Sequence, residues 1–224
     1  MQLDFLYRHR FSPRDREEKD AIWRVLCDQF FSRYVPLDST VVDVGAGYCE
    51  FINHISASRR IAVDANPDLK QFAAEGVEVH CTNAEQMSFL ADDTVDIVFS
   101  SNFFEHLPTK RALQQLVLEL HRILKPGGRL MIMGPNVRYL PGKYWDYFDH
   151  HLPLTEKSTE ELLHISGFEV EKSLPRFMPY TTKSWLPKWP SLVRLYLALH
   201  VVSFPLFGKQ FFVVARKWQG NRES

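Results

Sequence analysis

Short apolar runs and helically spaced apolar positions alternate along most of this chain. Ile22, Trp23, Val25, Leu26, Phe30 and Phe31 recur at the spacing of one helical face, and the mixed-charge run Arg14 to Asp20 before them predicts that helix's solvated first turn. The helix is expected to end near Pro36. Val41, Val42 and Val44 predict a short buried strand broken by Gly45-Ala46-Gly47, followed by a helix through Phe51, Ile52 and Ile55. Ile61 to Ala65, Val77 to Cys81 and Val95 to Ser100 read as further strands, with a short helix over Pro67 to Glu75 between the first two. Leu113, Leu116, Val117, Leu120 and Leu124 mark an amphipathic helix ended by Pro126-Gly127-Gly128, and Leu130 to Met133 begins a fifth strand. Such alternation predicts an α/β fold, a mostly parallel sheet covered by helices on both faces.

The last third breaks this rhythm. Val137 to Leu154 is rich in Tyr, Trp, Asp, His, Pro and Gly and reads as a long irregular insertion. Ser158 to Ser166 reads as a helix capped by Ser158, and Phe168 to Val170 and Phe211 to Ala215 as two more strands. Trp185 to Phe207 is apolar but broken by prolines, Arg194 and His200, and its longest apolar run is too short to span a bilayer. Extra core, a lid, a partner face and a shallow membrane contact all stay open for it. The boundaries expected are a helical cap over 1–38, a main domain over 39–217 and a tail over 218–224. Within the main domain, 137–154 is a substrate loop and 184–207 an apolar insertion.

Composition narrows the function. Hydrophobic residues are 45% and charged residues 24%, ordinary for a folded domain and too apolar for a disordered one. Lys+Arg and Asp+Glu both total 27, so there is no field to hold a polyanion, and nucleic acid is not an expected partner. Cys27, Cys49 and Cys81 cannot all pair, which favours reduced thiols and a cytoplasmic location, and the charged start offers no signal-peptide core. Oligomeric state is not legible.

The strongest chemical signal is Val41-Val42-Asp43-Val44-Gly45-Ala46-Gly47-Tyr48-Cys49. Glycines after a buried strand let the backbone approach a ligand closely, and the next helix start offers backbone donors. Asp64 closes the second strand, where an acid holds the two hydroxyls of a ribose. A dinucleotide fits poorly, because Glu50 stands where the third glycine of the pyrophosphate fingerprint belongs.

On these residues the chain resembles the class I S-adenosylmethionine-dependent methyltransferases, from about Thr40 to Asn136. Asp43, Gly45 and Gly47 match that family's first motif and Asp64 its ribose-binding acid. Asn83 and Ala84 stand where many members carry an Asp-Ala pair that reads the adenine. Val95 to Asn102 with Glu105-His106-Leu107-Pro108 resembles the fourth strand and its active-site loop, and Leu124 to Leu130 the entry to the fifth strand. Two departures are Cys49 in place of a small residue and Asn83 in place of the commoner Asp. The resemblance implies S-adenosyl-L-methionine as cofactor, bound by Asp43, Gly45, Gly47, Asp64, Asn83, Ala84 and Asn102. It also implies a Rossmann-like, doubly wound, seven-stranded sheet whose last strand runs antiparallel.

An activated methyl donor leaves the protein to align the acceptor, exclude water and take a proton from a hydroxyl. Candidates for the base are Glu105 and His106 after the fourth strand and His150 and His151 in the insertion, with Asp149 beside them. His150 leads, since an imidazole titrates near working pH. Asp149, His150 and His151 could ligate a metal, but adjacent histidines diverge, and no metal is expected. The whole pattern, including Tyr144-Trp145-Asp146, Asp149-His150 and Gly208-Lys209-Gln210, is similar to bacterial methyltransferases linked to surface polysaccharide or glycolipid synthesis. That similarity implies O-methylation of a glycan or glycolipid and allows peripheral contact with the inner membrane face. A non-catalytic module that binds S-adenosylmethionine, and methylation of another small molecule or a protein, are the alternatives.

Overall fold

The computed structural model describes residues 13–180 and 189–219, with side chains from residue 16. Expectations for 1–12, for 181–188 within the apolar stretch, and for 220–224 within the tail lie outside the described residues.

Seven strands form one sheet: β1 (Thr40–Val44), β2 (Arg59–Asp64), β3 (Val77–Cys81), β4 (Val95–Ser101), β5 (Leu124–Pro135), β6 (Phe168–Leu174) and β7 (Gln210–Lys217). Their spatial order is β3-β2-β1-β4-β5-β7-β6. β1 to β5 pair in parallel, and β7 runs antiparallel to both β5 and β6. This is the doubly wound sheet with one antiparallel strand that the family resemblance implied. The chain order reverses between β1 and β4, and a crevice opens there beyond the carboxyl ends of the strands.

Period-two alternation divides the sheet's side chains between two cores. Val42, Val44, Ile61, Val63, Val98, Leu130 and Ile132 face one side, with α4 (Lys110–Ile123) and α5 (Glu156–Ile165). Val41, Ala62, Ile97, Phe99, Met131 and Met133 face the other. That side is covered by α1 (Pro13–Gln29), α2 (Glu50–His54), α6 (Pro190–Ala198) and α7 (His200–Phe207). There Phe51 of α2 stacks on Phe99 of β4 at 3.8 Å between centroids, and Trp23 and Phe31 close edge-on around them. Each buried ring contributes about 1.5–3 kcal/mol of transfer free energy, so the helix after the glycine turn is firmly seated.

Several boundaries differ from the sequence reading. α1 ends at Gln29 and a 3-10 turn, Phe31–Arg33, carries the chain toward Pro36. The short helix α3 is Leu69–Phe72. α4 stops at Ile123, and the Pro126-Gly127-Gly128 turn lies inside β5, where pairing with β4 skips from Leu124 to Arg129. α5 is capped by Thr155, not Ser158: Thr155 Oγ1 accepts from the Ser158 amide while Ser158 Oγ accepts from the Thr155 amide. This reciprocal pair satisfies two amide donors at once, whereas a Ser158 cap would leave the preceding turn uncapped. The insertion contains two 3-10 turns, Val137–Tyr139 and Lys143–Asp146, and the described part of the apolar stretch forms α6 and α7.

Candidate active site

β1 ends at Val44, and Gly45 and Gly47 then adopt φ of 72° and 53°. A Cβ on Gly45 would stand 2.4 Å from Phe103 Cγ, so the turn must be bare for Phe103 to lie over it. Gly45 and Ala46 donate their amides to the Val63 carbonyl, which ties the turn to β2. Cys49 follows at φ 62°, a left-handed position that an L residue occupies at a cost, and its thiol is fully buried. Burial, with the charges of Asp43, Glu50 and Asp64, pushes that thiol's pKa up.

Asp64 closes β2 as expected. Its Oδ2 accepts from the Gly47 amide at 2.9 Å and its Oδ1 from the Asn66 amide at 2.8 Å. Each oxygen keeps a lone pair for a hydroxyl on the cavity side. Asp43 lies beneath the turn, 3% exposed. Burial raises its pKa well above the usual carboxylate range, and the charges of Glu50 and Asp64 add to the rise. Asp43, Gly45, Gly47, Asp64, Asn83, Ala84 and Asn102 all line one cavity of about 850 Å³, within the usual range for small-molecule sites. The charged start of α1 contributes here too: Lys19 pairs with Glu50 at 2.8 Å, and the Arg16 guanidinium lies 5.6 Å from the Tyr48 ring centroid. The sequence reading had placed that run in solvent. The bare turn, the acid on the neighbouring strand and the cavity volume fit an adenosyl ligand.

The same cavity is lined by Glu105, His106, Asp149, His150 and His151. Glu105 and His106 occupy a 3-10 turn after β4, Phe104–His106. The insertion hangs from it, because the amides of His151 and Leu152 both donate to the Glu105 carbonyl, at 2.8 and 3.1 Å. His106 Nδ1 lies 2.9 Å from the Asp149 carbonyl oxygen and 3.2 Å from Asp149 Oδ2. The His106 and His150 rings meet edge-on at 5.0 Å, Tyr147 stacks on His150 at 5.0 Å, and the Tyr144 hydroxyl donates to the Leu152 carbonyl. His150 is buried and His151 exposed, so the two neighbours diverge. One ligand atom from each of Glu105, His106 and His150 lies within 4.8 Å of the others, a set that could hold a cation.

Burial pushes the Glu105 carboxyl up to about 7, against the opposing charge of His106. At His106 burial disfavours the charged ring, but the hydrogen bonds and charge of Asp149 with the charge of Glu105 prevail and the pKa is raised.

Other parts of the site had no clear sequence signal. Asn136, fully buried, donates to Glu156 Oε2 at 2.6 Å and to the Pro175 carbonyl at 3.0 Å, and accepts from the Arg138 amide at 3.2 Å. It pins the insertion to α5 and to the segment after β6. That segment brings Met178, Pro179 and Tyr180 to the cavity, with Tyr180 edge-on to Tyr147 at 5.8 Å. Leu192 and Leu195 of α6, Leu199 at the junction and Phe207 of α7 reach the cavity while at least a third exposed.

Residues 42–132 match the family described as "Methyltransferase domain". The chain is 36% identical over 90 residues to a Mycolicibacterium smegmatis protein named "Probable S-adenosylmethionine-dependent methyltransferase", covering 39% of this chain and 34% of that one. It is 28% identical over 176 residues to the biotin biosynthesis bifunctional protein BioHC of Cellvibrio japonicus, covering 74% of this chain and 32% of that one. The chain thus spans about a third of the length of these two relatives. A SAM-dependent methyltransferase from Archaeoglobus fulgidus superposes with a TM-score of 0.64 over 90% of this chain and 98% of that chain, at 22% identity, which establishes the shared fold. Residues 42–132 thus match the methyltransferases, an enzyme family, and the chain shares the fold of S-adenosylmethionine-dependent members, whose cofactor is S-adenosyl-L-methionine.

Proposed function

We propose that the protein methylates a hydroxyl of a glycan or glycolipid, working in the cytoplasm against the inner membrane face. The observation that carries this reading is one shared cavity. It is lined by the Gly45–Gly47 turn and Asp64, by the Glu105, His106, Asp149 and His150 cluster, and by apolar side chains of α6 and α7. S-adenosylmethionine supplies a methyl group already activated on a sulfonium. Asp64 and the turn orient that ligand, Asn83 and Ala84 meet its base, and Asp43 and Asn102 shape the pocket around it. The Glu105–His106–Asp149–His150 cluster draws the proton off the acceptor hydroxyl, with the buried His150 facing the acceptor rather than the exposed His151. The 137–154 insertion, with Tyr144 and Tyr147, keeps water from the reacting atoms and offers flat surfaces to a sugar ring.

The acceptor class is supported by the mouth of the cavity. α6 and α7 meet at 107°, and no single helix among the described residues is long and apolar enough to cross a membrane. Across this pair and its junction Leu195, Leu199, Val201, Val202, Leu206 and Phe207 are each more than half exposed. Such a surface suits the alkyl part of a lipid-linked acceptor, whose polar end would then reach the cluster. The test is transfer of labelled methyl from S-adenosylmethionine to total lipid extracts and to delipidated glycans. Label in the glycolipid fraction, lost in Leu199→Glu, is the expected result. Label confined to a protein or a soluble small molecule would replace the reading.

A further inference from the structure

We propose that Glu105, His106 and His150 form a binding site for a divalent transition-metal cation in the wall of the cavity. Each offers one ligand atom, and the three atoms lie within 4.8 Å of one another. Around a tetrahedral ion with bonds of about 2.1 Å, ligand atoms stand about 3.4 Å apart, so the side chains close by about 1 Å. The backbone already sets that convergence. The His151 and Leu152 amides are bonded to the Glu105 carbonyl, which fixes the insertion bearing His150 against the turn bearing Glu105 and His106.

Donor chemistry selects the ion. Two imidazoles and a carboxylate suit zinc, manganese, iron or cobalt better than magnesium or calcium. Three protein ligands with a fourth position open toward a cavity is the arrangement of catalytic rather than structural sites. Asp149 completes the pattern. It engages His106 Nδ1 through its carbonyl and its carboxylate, which leaves Nε2 for the ion and holds the ring's orientation. Adjacent histidines diverge, which argued against a metal on Asp149, His150 and His151. Glu105 and His106, distant in sequence, supply what that run lacks.

The use of the ion rests on the hydroxyl-methylation reading. An ion held by Glu105, His106 and His150 would lower the pKa of an acceptor hydroxyl at its open position, and would take over from His150 the task of making that oxygen nucleophilic.

The experiment is calorimetric titration of the chelator-stripped full chain with Zn²⁺ or Mn²⁺ alone, repeated with Co²⁺ to read its visible bands. One ion per chain is expected, bound at micromolar concentration or tighter. His106→Gln and His150→Asn should each weaken binding by ~10-fold or more and alter the cobalt bands, while His151→Ala keeps both. S-adenosylhomocysteine affinity, measured on the same samples, certifies the fold of each variant. A parent that binds S-adenosylhomocysteine but no stoichiometric cation overturns the site and leaves the methyltransferase reading intact. So does parental cation affinity in both folded variants. A parent that takes up the cation but no S-adenosylhomocysteine upholds the site and overturns the methyl-transfer reading instead.

Discussion

Oδ2 of Asp64 accepts a hydrogen bond from the Gly47 amide at 2.9 Å, so the acid that closes β2 also braces the turn that follows β1. One side chain thereby shapes the backbone of the glycine turn and lines the cavity beside it. Asp64→Ala removes both contributions. Hydrogen bonds to a charged group are worth roughly 1.5–3 kcal/mol, so affinity for S-adenosylhomocysteine should fall ~10–100-fold. Asp64→Asn should fall between the two, because its amide nitrogen cannot accept from Gly47. Calorimetry on folded variants checks this, and parental affinity in Asp64→Ala would remove Asp64 from the site.

Asp43 predicts a pH dependence of stability. Its folded pKa stands well above the ordinary aspartate value, chiefly through burial. The folded state therefore holds the proton more tightly than the unfolded chain. This contribution to stability is fully present below the unfolded pKa of about 3.9 and is lost as pH rises through the folded pKa. Asp43→Asn keeps the shape without the ionisation. Its Tm should exceed the parent's at about pH 8, and the gap should narrow toward about pH 4. A gap that does not change across this window would mean that Asp43 is paired rather than merely buried.

Cys49 makes a prediction about reactivity. It sits at φ 62° with a buried thiol whose pKa burial holds up. Cys49→Gly relieves a left-handed penalty of roughly 1–2 kcal/mol and gives up a small buried group, so stability and cofactor affinity should stay near the parent's. Under iodoacetamide at mild alkaline pH, exposed Cys81 should be the labelled thiol, with Cys27 and Cys49 protected. Peptide mass spectrometry reads the outcome, and rapid labelling of Cys49 in folded protein would contradict it.

His150 is buried between Tyr147 and His106 and faces the cavity, whereas His151 is exposed. His150→Ala should lower turnover ~10²-fold or more and leave S-adenosylhomocysteine affinity nearly intact. His151→Ala should cost far less. Comparable losses in both variants would show that the loop's position, rather than one imidazole, is what the reaction needs.

The glycine turn and the acid beside it were legible because their signals are local. A buried strand, two glycines and an acid ending the next strand fall within a short stretch, and backbone geometry demands those residue types. Glu105, His106 and His150 were legible singly, but their grouping was not. Glu105 and His106 stand far from His150 in sequence, and what joins them is a pair of hydrogen bonds from the His151 and Leu152 amides to the Glu105 carbonyl, which any residue there could accept. The helix cap was misplaced for a similar reason. Thr155 and Ser158 cap each other, and either alone reads as an N-cap. The junction of α6 and α7 was invisible because both helices are apolar on several sides, so periodicity did not separate them.

The position of β7 bears on how the chain reaches its fold during synthesis. β7 comes last in sequence yet lies between β5 and β6, pairing with both. When β6 leaves the ribosome its partner does not yet exist, and β5 exposes an open edge bearing Leu130, Ile132 and Met133. An unpaired apolar edge is a template for pairing with other chains. The interval between synthesis of β6 and of β7 is therefore when the nascent protein is most exposed to aggregation and most in need of a chaperone. A chain stalled or cleaved within that interval would carry a nearly complete cofactor turn on a sheet that cannot close.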